Sequence, residues 1–68
     1  MTYAIYDVSG TRKAKIDAPE FLTLEAAHAF VVDKFADVLA FIEKDEDHEA
    51  YDFITTIGGL YAIEATPA

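Results

Sequence analysis

Tyr51-Asp52-Phe53-Ile54-Thr55-Thr56-Ile57-Gly58-Gly59-Leu60-Tyr61-Ala62-Ile63-Glu64-Ala65 is the stretch that decides the fold. Two runs of aromatic and β-branched residues flank a Gly-Gly pair. That is a strong hairpin signal, because glycine reaches the positive φ that tight turns require. A two-residue turn pairs Ile57 with Leu60 and Ile54 with Ile63. It sets Tyr51, Phe53, Ile57 and Leu60 on one face, and Ile54, Tyr61 and Ile63 on the other. Both faces are then apolar.

Upstream of the hairpin lies Glu43-Lys44-Asp45-Glu46-Asp47-His48-Glu49, read as a solvated loop between strands. Before it, Val38-Leu39-Ala40-Phe41-Ile42 shows no alternation, which suits a buried central strand; continuation of a preceding helix is the competing reading. Thr23 is placed to cap a helix over residues 24–36, with Glu25 in the first turn. Leu24, Ala27, Val31 and Phe35 recur at helical spacing, Asp33 falls opposite them, and Phe30 falls on the flank. Residues 3–8 and 11–16 read as strands joined by a Ser9-Gly10 turn, followed by a loop at Asp17-Ala18-Pro19-Glu20. In the second strand Lys13 and Lys15 alternate with Ala14 and Ile16. Lysines there guard an edge strand against sheet-to-sheet association.

The expected fold is α+β, in ββαβββ order, with one helix packed on one face of a mainly antiparallel sheet. Residues 1–68 make one domain, with 2–65 as ordered core and 66–68 as a frayed tail. One helix covers one face. The second apolar face is therefore expected to meet a target or a second copy; a loop or the tail folded over it, or a hairpin twisted away from it, is the competing reading.

The composition agrees. Of 68 residues, 53% are hydrophobic, but 12 of those 36 are Ala, which adds little core volume. A domain of this size buries only about 60% of the surface its unfolded chain exposes. The net charge is −8, from 13 acids against 5 Lys and Arg. It is unevenly spread: positions 43–52 hold six acids and one lysine, net −5, while positions 11–16 hold +3. Such acidity disfavours direct contact with nucleic acid or anionic lipid and favours a basic protein partner. No run approaches the roughly 20 apolar residues of a membrane span, and no signal peptide is recognisable. A cytoplasmic protein is the expectation.

The chemistry-bearing motifs are few. There is no Cys, hence no disulfide, thiolate zinc site or cysteine nucleophile. There is also no Asn or Gln, which removes the side-chain amides that read base edges. Asp45, Asp47 and Glu49 alternate as in a calcium loop. An EF-hand beginning at Asp45 needs Gly and Glu where Ala50 and Thr56 stand, so the match fails. Glu25 and His28 have a metal-bundle spacing, but in one copy on one helix. A half-buried structural histidine is the preferred reading of His28. His48 sits among carboxylates, which favour its protonated form. Ser9, the only serine, lies in a turn and not at a nucleophile elbow.

No cofactor, metal or catalytic residue is assigned, and the chain is expected not to be an enzyme. The leading expectation is a small interaction module, an adaptor or inhibitor. A sharper form lets carboxylates stand in for phosphates and occupy a nucleic-acid-binding protein. The candidate contact residues are Glu43, Asp45, Glu46, Asp47, Glu49 and Asp52, with Tyr51, Phe53 and Tyr61 as aromatic anchors. The alternatives are a homodimer through the open sheet face, and a small-ligand pocket built on Tyr3, Tyr6 and Tyr61.

Overall fold

The computed structural model describes residues 1–67. Its elements are β1 (Tyr3–Asp7), β2 (Ala14–Lys15), α1 (Leu24–Lys34), β3 (Leu39–Asp45), β4 (Ala50–Thr55) and β5 (Leu60–Ala65). The five strands form one antiparallel sheet in the order β2-β1-β5-β4-β3, with the helix on one face. This is the α+β, ββαβββ arrangement read from the sequence.

The helix begins where its cap requires. Thr23 is extended, at φ −132° and ψ 155°, and its Oγ1 accepts the Ala26 N–H at 3.1 Å. That satisfies one of the orphan donors of the first turn. Leu24, Ala27 and Val31 are buried, as their spacing predicts. The helix stops two residues short of the expected end, where the Phe35 N–H closes on the Val31 carbonyl at 2.9 Å. Phe30 lies at the margin of the core, its ring centroid 5.1 Å from that of Phe21.

Against the helix pack Tyr3 and Ile5 of β1, Phe53 of β4 and Ile63 of β5. Phe53 is wholly enclosed: it stacks on Tyr61 at 5.1 Å and receives the edge of Phe35 at 5.2 Å. Burying each of these large side chains stabilises the fold by about 1.5–3 kcal/mol.

Three expectations are corrected. First, the β4–β5 hairpin has Ile54 opposite Leu60 and Tyr51 opposite Ile63, three residues out of the two-residue register. The Thr55 N–H reaches the Gly59 carbonyl, and the Gly58 N–H reaches the Thr55 carbonyl at 3.2 Å. Thr56, Ile57 and Gly58 thus form a three-residue turn, closed by Gly58 at φ +93°. A shift by an odd number exchanges faces. Tyr51, Phe53, Tyr61 and Ile63 share the helix side, and Ile54 and Leu60 face away.

Second, residues 38–42 do not form a central strand or a helical extension: β3 is the sheet edge. A bulge lies between Leu39 and Phe41. It places Leu39 and Ile42 on the helix side, where both pack on the core, and turns Phe41 to the other face. The unbroken apolar run is the signature of that extra residue, not of two-sided burial.

Third, the β1–β2 connection is longer than a two-residue turn, and β2 is only two residues long. Asp7 Oδ1 accepts both the Ser9 N–H (3.0 Å) and the Ser9 hydroxyl (2.5 Å), an Asx-type turn that opens the loop. Of the tail, Thr66 bonds back to Thr2 through its backbone N–H (2.9 Å) and its hydroxyl (2.8 Å). Ala68 lies outside the described residues.

Candidate protein-binding surface

The sheet face turned away from α1 divides into two halves. On the β1–β5 half, Ala4, Tyr6 and Ala62 are buried. Lys13 covers the Tyr6 ring, its Nζ 4.9 Å from the centroid, and is anchored by Glu64 at 2.6 Å. Lys15 pairs with Glu20, whose carboxylate also accepts the Thr2 hydroxyl.

The β3–β4 half has no such cover. Phe41 is opposite Ile54, and Ile54 is opposite Leu60, so three strands contribute one row of apolar side chains. They are 55%, 44% and 40% exposed. The next row places Glu43 opposite Asp52. Both acids are exposed, and among the described residues neither has an ion-pair partner. Like charges directly opposite on a sheet destabilise it. A hollow of about 390 Å³ beside them is lined by Glu43, Lys44, Asp45, Glu46 and Asp52.

The remaining expected contact residues divide by role. Asp45 closes β3: its Oδ1 accepts the Asp47 N–H at 2.9 Å, and its Oδ2 lies 3.2 Å from His48 Nδ1. The Asp47 N–H first, and His48 second, hold the Asp45 carboxyl below the ordinary range. Glu49 accepts the Tyr3 hydroxyl at 2.7 Å, and that bond raises the Tyr3 phenol. Glu46 and Asp47 stand exposed at the tip of the β3–β4 turn. Tyr51 is half-buried and stacks on His28 of the helix at 4.5 Å. Tyr61 is half-buried against Phe53. Phe53 has no exposed surface, so it belongs to the core and is not an anchor for a partner.

Tyr3 and Tyr61 lie on the helix side and Tyr6 on the other, so the three tyrosines do not share one pocket. A second hollow, of about 560 Å³, is lined by Met1, Tyr3, Asp45, His48, Glu49, Glu64 and Ala65. Among the described residues no three His, Asp or Glu gather as a metal-holding group, and no helix is long and apolar enough to cross a membrane.

Sequence reasoning missed Phe41, Ile54 and Leu60 as contact candidates. The available signal was Phe41-x-Glu43 opposite Asp52-x-Ile54, an apolar residue two places from an acid on each of two neighbouring strands. Comparison with family models, curated proteins and solved structures gives no match to this chain.

Proposed function

We propose that this chain is a small non-catalytic interaction module that binds a basic protein on the β3–β4 half of its uncovered sheet face. The observation that carries the reading is the exposed row Phe41–Ile54–Leu60 lying directly beside the unpaired acids Glu43 and Asp52. Apolar side chains supply contact area, and acids steer a cationic partner to it and reject anionic ones. An adaptor or an inhibitor of a nucleic-acid-binding protein, with these carboxylates in place of phosphates, fits that chemistry. A cytoplasmic setting is part of the same proposal.

Asp45 and Glu49 bond within the fold, so Glu43, Glu46, Asp47 and Asp52 are the ones free to meet a partner. The experiment is binding to a panel of basic nucleic-acid-binding proteins at low and moderate salt. Binding should weaken with salt and fall at least tenfold when those four are changed together to Gln and Asn. Undiminished affinity in that variant contradicts the proposal.

The same exposed row also favours a second reading, a homodimer through this face, against which stands the −8 charge of each copy. Sedimentation equilibrium separates the two, since a monomer at every concentration removes the homodimer.

A further inference from the structure

We propose that the partner engages this surface by strand addition: a basic, extended segment pairs antiparallel with the free edge of β3 and becomes a sixth strand. The proposal rests on the reading of the β3–β4 face as a site for a basic protein.

The two edges of the sheet are unlike. On the β2 side, the outer rim of β1 is already occupied. Tyr3 and Phe21 exchange backbone hydrogen bonds of 2.8 Å in both directions, and the Ile16 N–H donates to the Ile5 carbonyl at 3.0 Å. β2 itself is two residues long; Lys13, just before it, is held by Glu64, and its own Lys15 by Glu20. On the other side β3 runs for seven residues, about 24 Å at an antiparallel rise. Its only ladder partner is β4, and among the described residues no other segment hydrogen-bonds to the backbone of residues 40–45. The bulge is confined to the start of the strand, so Phe41 to Asp45 pairs regularly with β4. A regular edge with unpaired N–H and C=O groups is a template for an added strand.

The side chains state which strand. Phe41, Glu43 and Asp45 alternate on the uncovered face, and side chains directly opposite in an antiparallel pair share a face. An added strand is therefore matched when it carries an apolar residue opposite Phe41 and a cation opposite Glu43; opposite Asp45, whose carboxyl is already held by the Asp47 N–H and His48, a second cation adds charge complementarity only. Read in its own direction, its pattern is cation–x–cation–x–apolar. A second copy of β3 offers apolar–x–acid–x–acid on that face, with no cation, and brings a further −8. The charges that blunt this edge toward its own kind are those that admit a basic strand.

The probe is the acetylated, amidated peptide Lys-Thr-Lys-Val-Ile-Thr, titrated into the intact chain labelled with nitrogen-15. Amide hydrogen exchange at alternate residues between positions 41 and 45 should slow at least tenfold at saturation. N-methylating one alternate set of peptide amides should abolish binding, and methylating the other set should leave it. Equal binding by both methylated peptides, with no slowing of β3 exchange, overturns strand addition and leaves docking on the face standing. Failure of the peptide to bind at millimolar concentration, while basic proteins bind, also overturns it. If neither peptide nor basic proteins bind, both proposals fall.

Discussion

Glu43 and Asp52 are register partners on β3 and β4, two acids on the same uncovered face with, among the described residues, no cation paired to either. The sheet forms in spite of this pair. Glu43→Gln or Asp52→Asn should therefore stabilise the fold by about 0.2–1 kcal/mol, the scale of cross-strand pair effects. The gain should shrink in 1 M salt, where screening acts over about 3 Å. Urea denaturation of each variant at low and high salt measures both. The same substitutions should weaken binding to a basic partner, so stability and binding move in opposite directions.

Phe53 and Ile63 belong to the core and should behave so. Ile63→Val should cost about 0.5–1.5 kcal/mol, and Phe53→Ala about 3–5 kcal/mol. The second figure is comparable with the whole stability of a domain this size, about 3–10 kcal/mol at typical per-residue values. Thermal melts followed by circular dichroism should show a lowered midpoint for both variants, with much the larger drop for the second. A Phe53→Ala chain as stable as Ile63→Val would contradict the burial of Phe53 in the core.

The turn at Gly58 and Gly59 gives a second check on register. Both residues have positive φ, 93° and 98°. A Cβ on Gly58 meets open space, but one on Gly59 lies 3.0 Å from the Tyr61 ring. Gly58→Ala should cost about 1–2 kcal/mol from backbone conformation alone. Gly59→Ala should cost more, because the ring must also move. Equal urea midpoints for the two variants would contradict the packing of Tyr61 over the turn.

Most of the fold was legible, and the errors share a cause. Thr23, Leu24, Ala27 and Val31 declared the helix because capping and 3.6-residue spacing are local properties. The strand pairings were not legible where one residue alters the alternation. The bulge near Leu39 makes the apolar run at 38–42 look buried on both sides. The turn at Thr56, Ile57 and Gly58 is one residue longer than the two-residue turn that a Gly-Gly pair suggests, and it is centred earlier. The acids of the candidate surface were visible as a run, but not their division. Asp45 and Glu49 are committed to Asp47, His48 and Tyr3, which only folding reveals. Phe41, Ile54 and Leu60 were overlooked because their shared face depends on both the bulge and the register.

Stability should fall at both ends of the pH range. Hydrogen bonds hold three carboxyls below their ordinary range: Asp7 by the Ser9 hydroxyl, Glu20 by Lys15, and Asp45 by the Asp47 N–H. A lowered folded pKa stabilises above the unfolded value, and that stabilisation is lost as pH falls through the folded value. The acid loss should therefore begin below about pH 4. The Tyr3 phenol is raised by its bond to Glu49. Its contribution is complete below the unfolded value, near pH 10, and is lost as pH rises through the folded value. Lys13, raised by its bond to Glu64, adds to the same loss, so urea midpoints against pH should show both limbs and Tyr3→Phe should shrink the alkaline one without removing it.

On the proposed function, the β3–β4 half of the open face is where this chain meets a basic partner. The most direct test is a titration of the isotope-labelled chain with the tightest-binding basic protein, followed residue by residue by nuclear magnetic resonance. The largest shifts should fall at Phe41, Glu43, Asp52, Ile54 and Leu60, with the exposed side of the helix at Ala29 and Asp33 unmoved. Shifts centred on the helix, with that row unchanged, would contradict it.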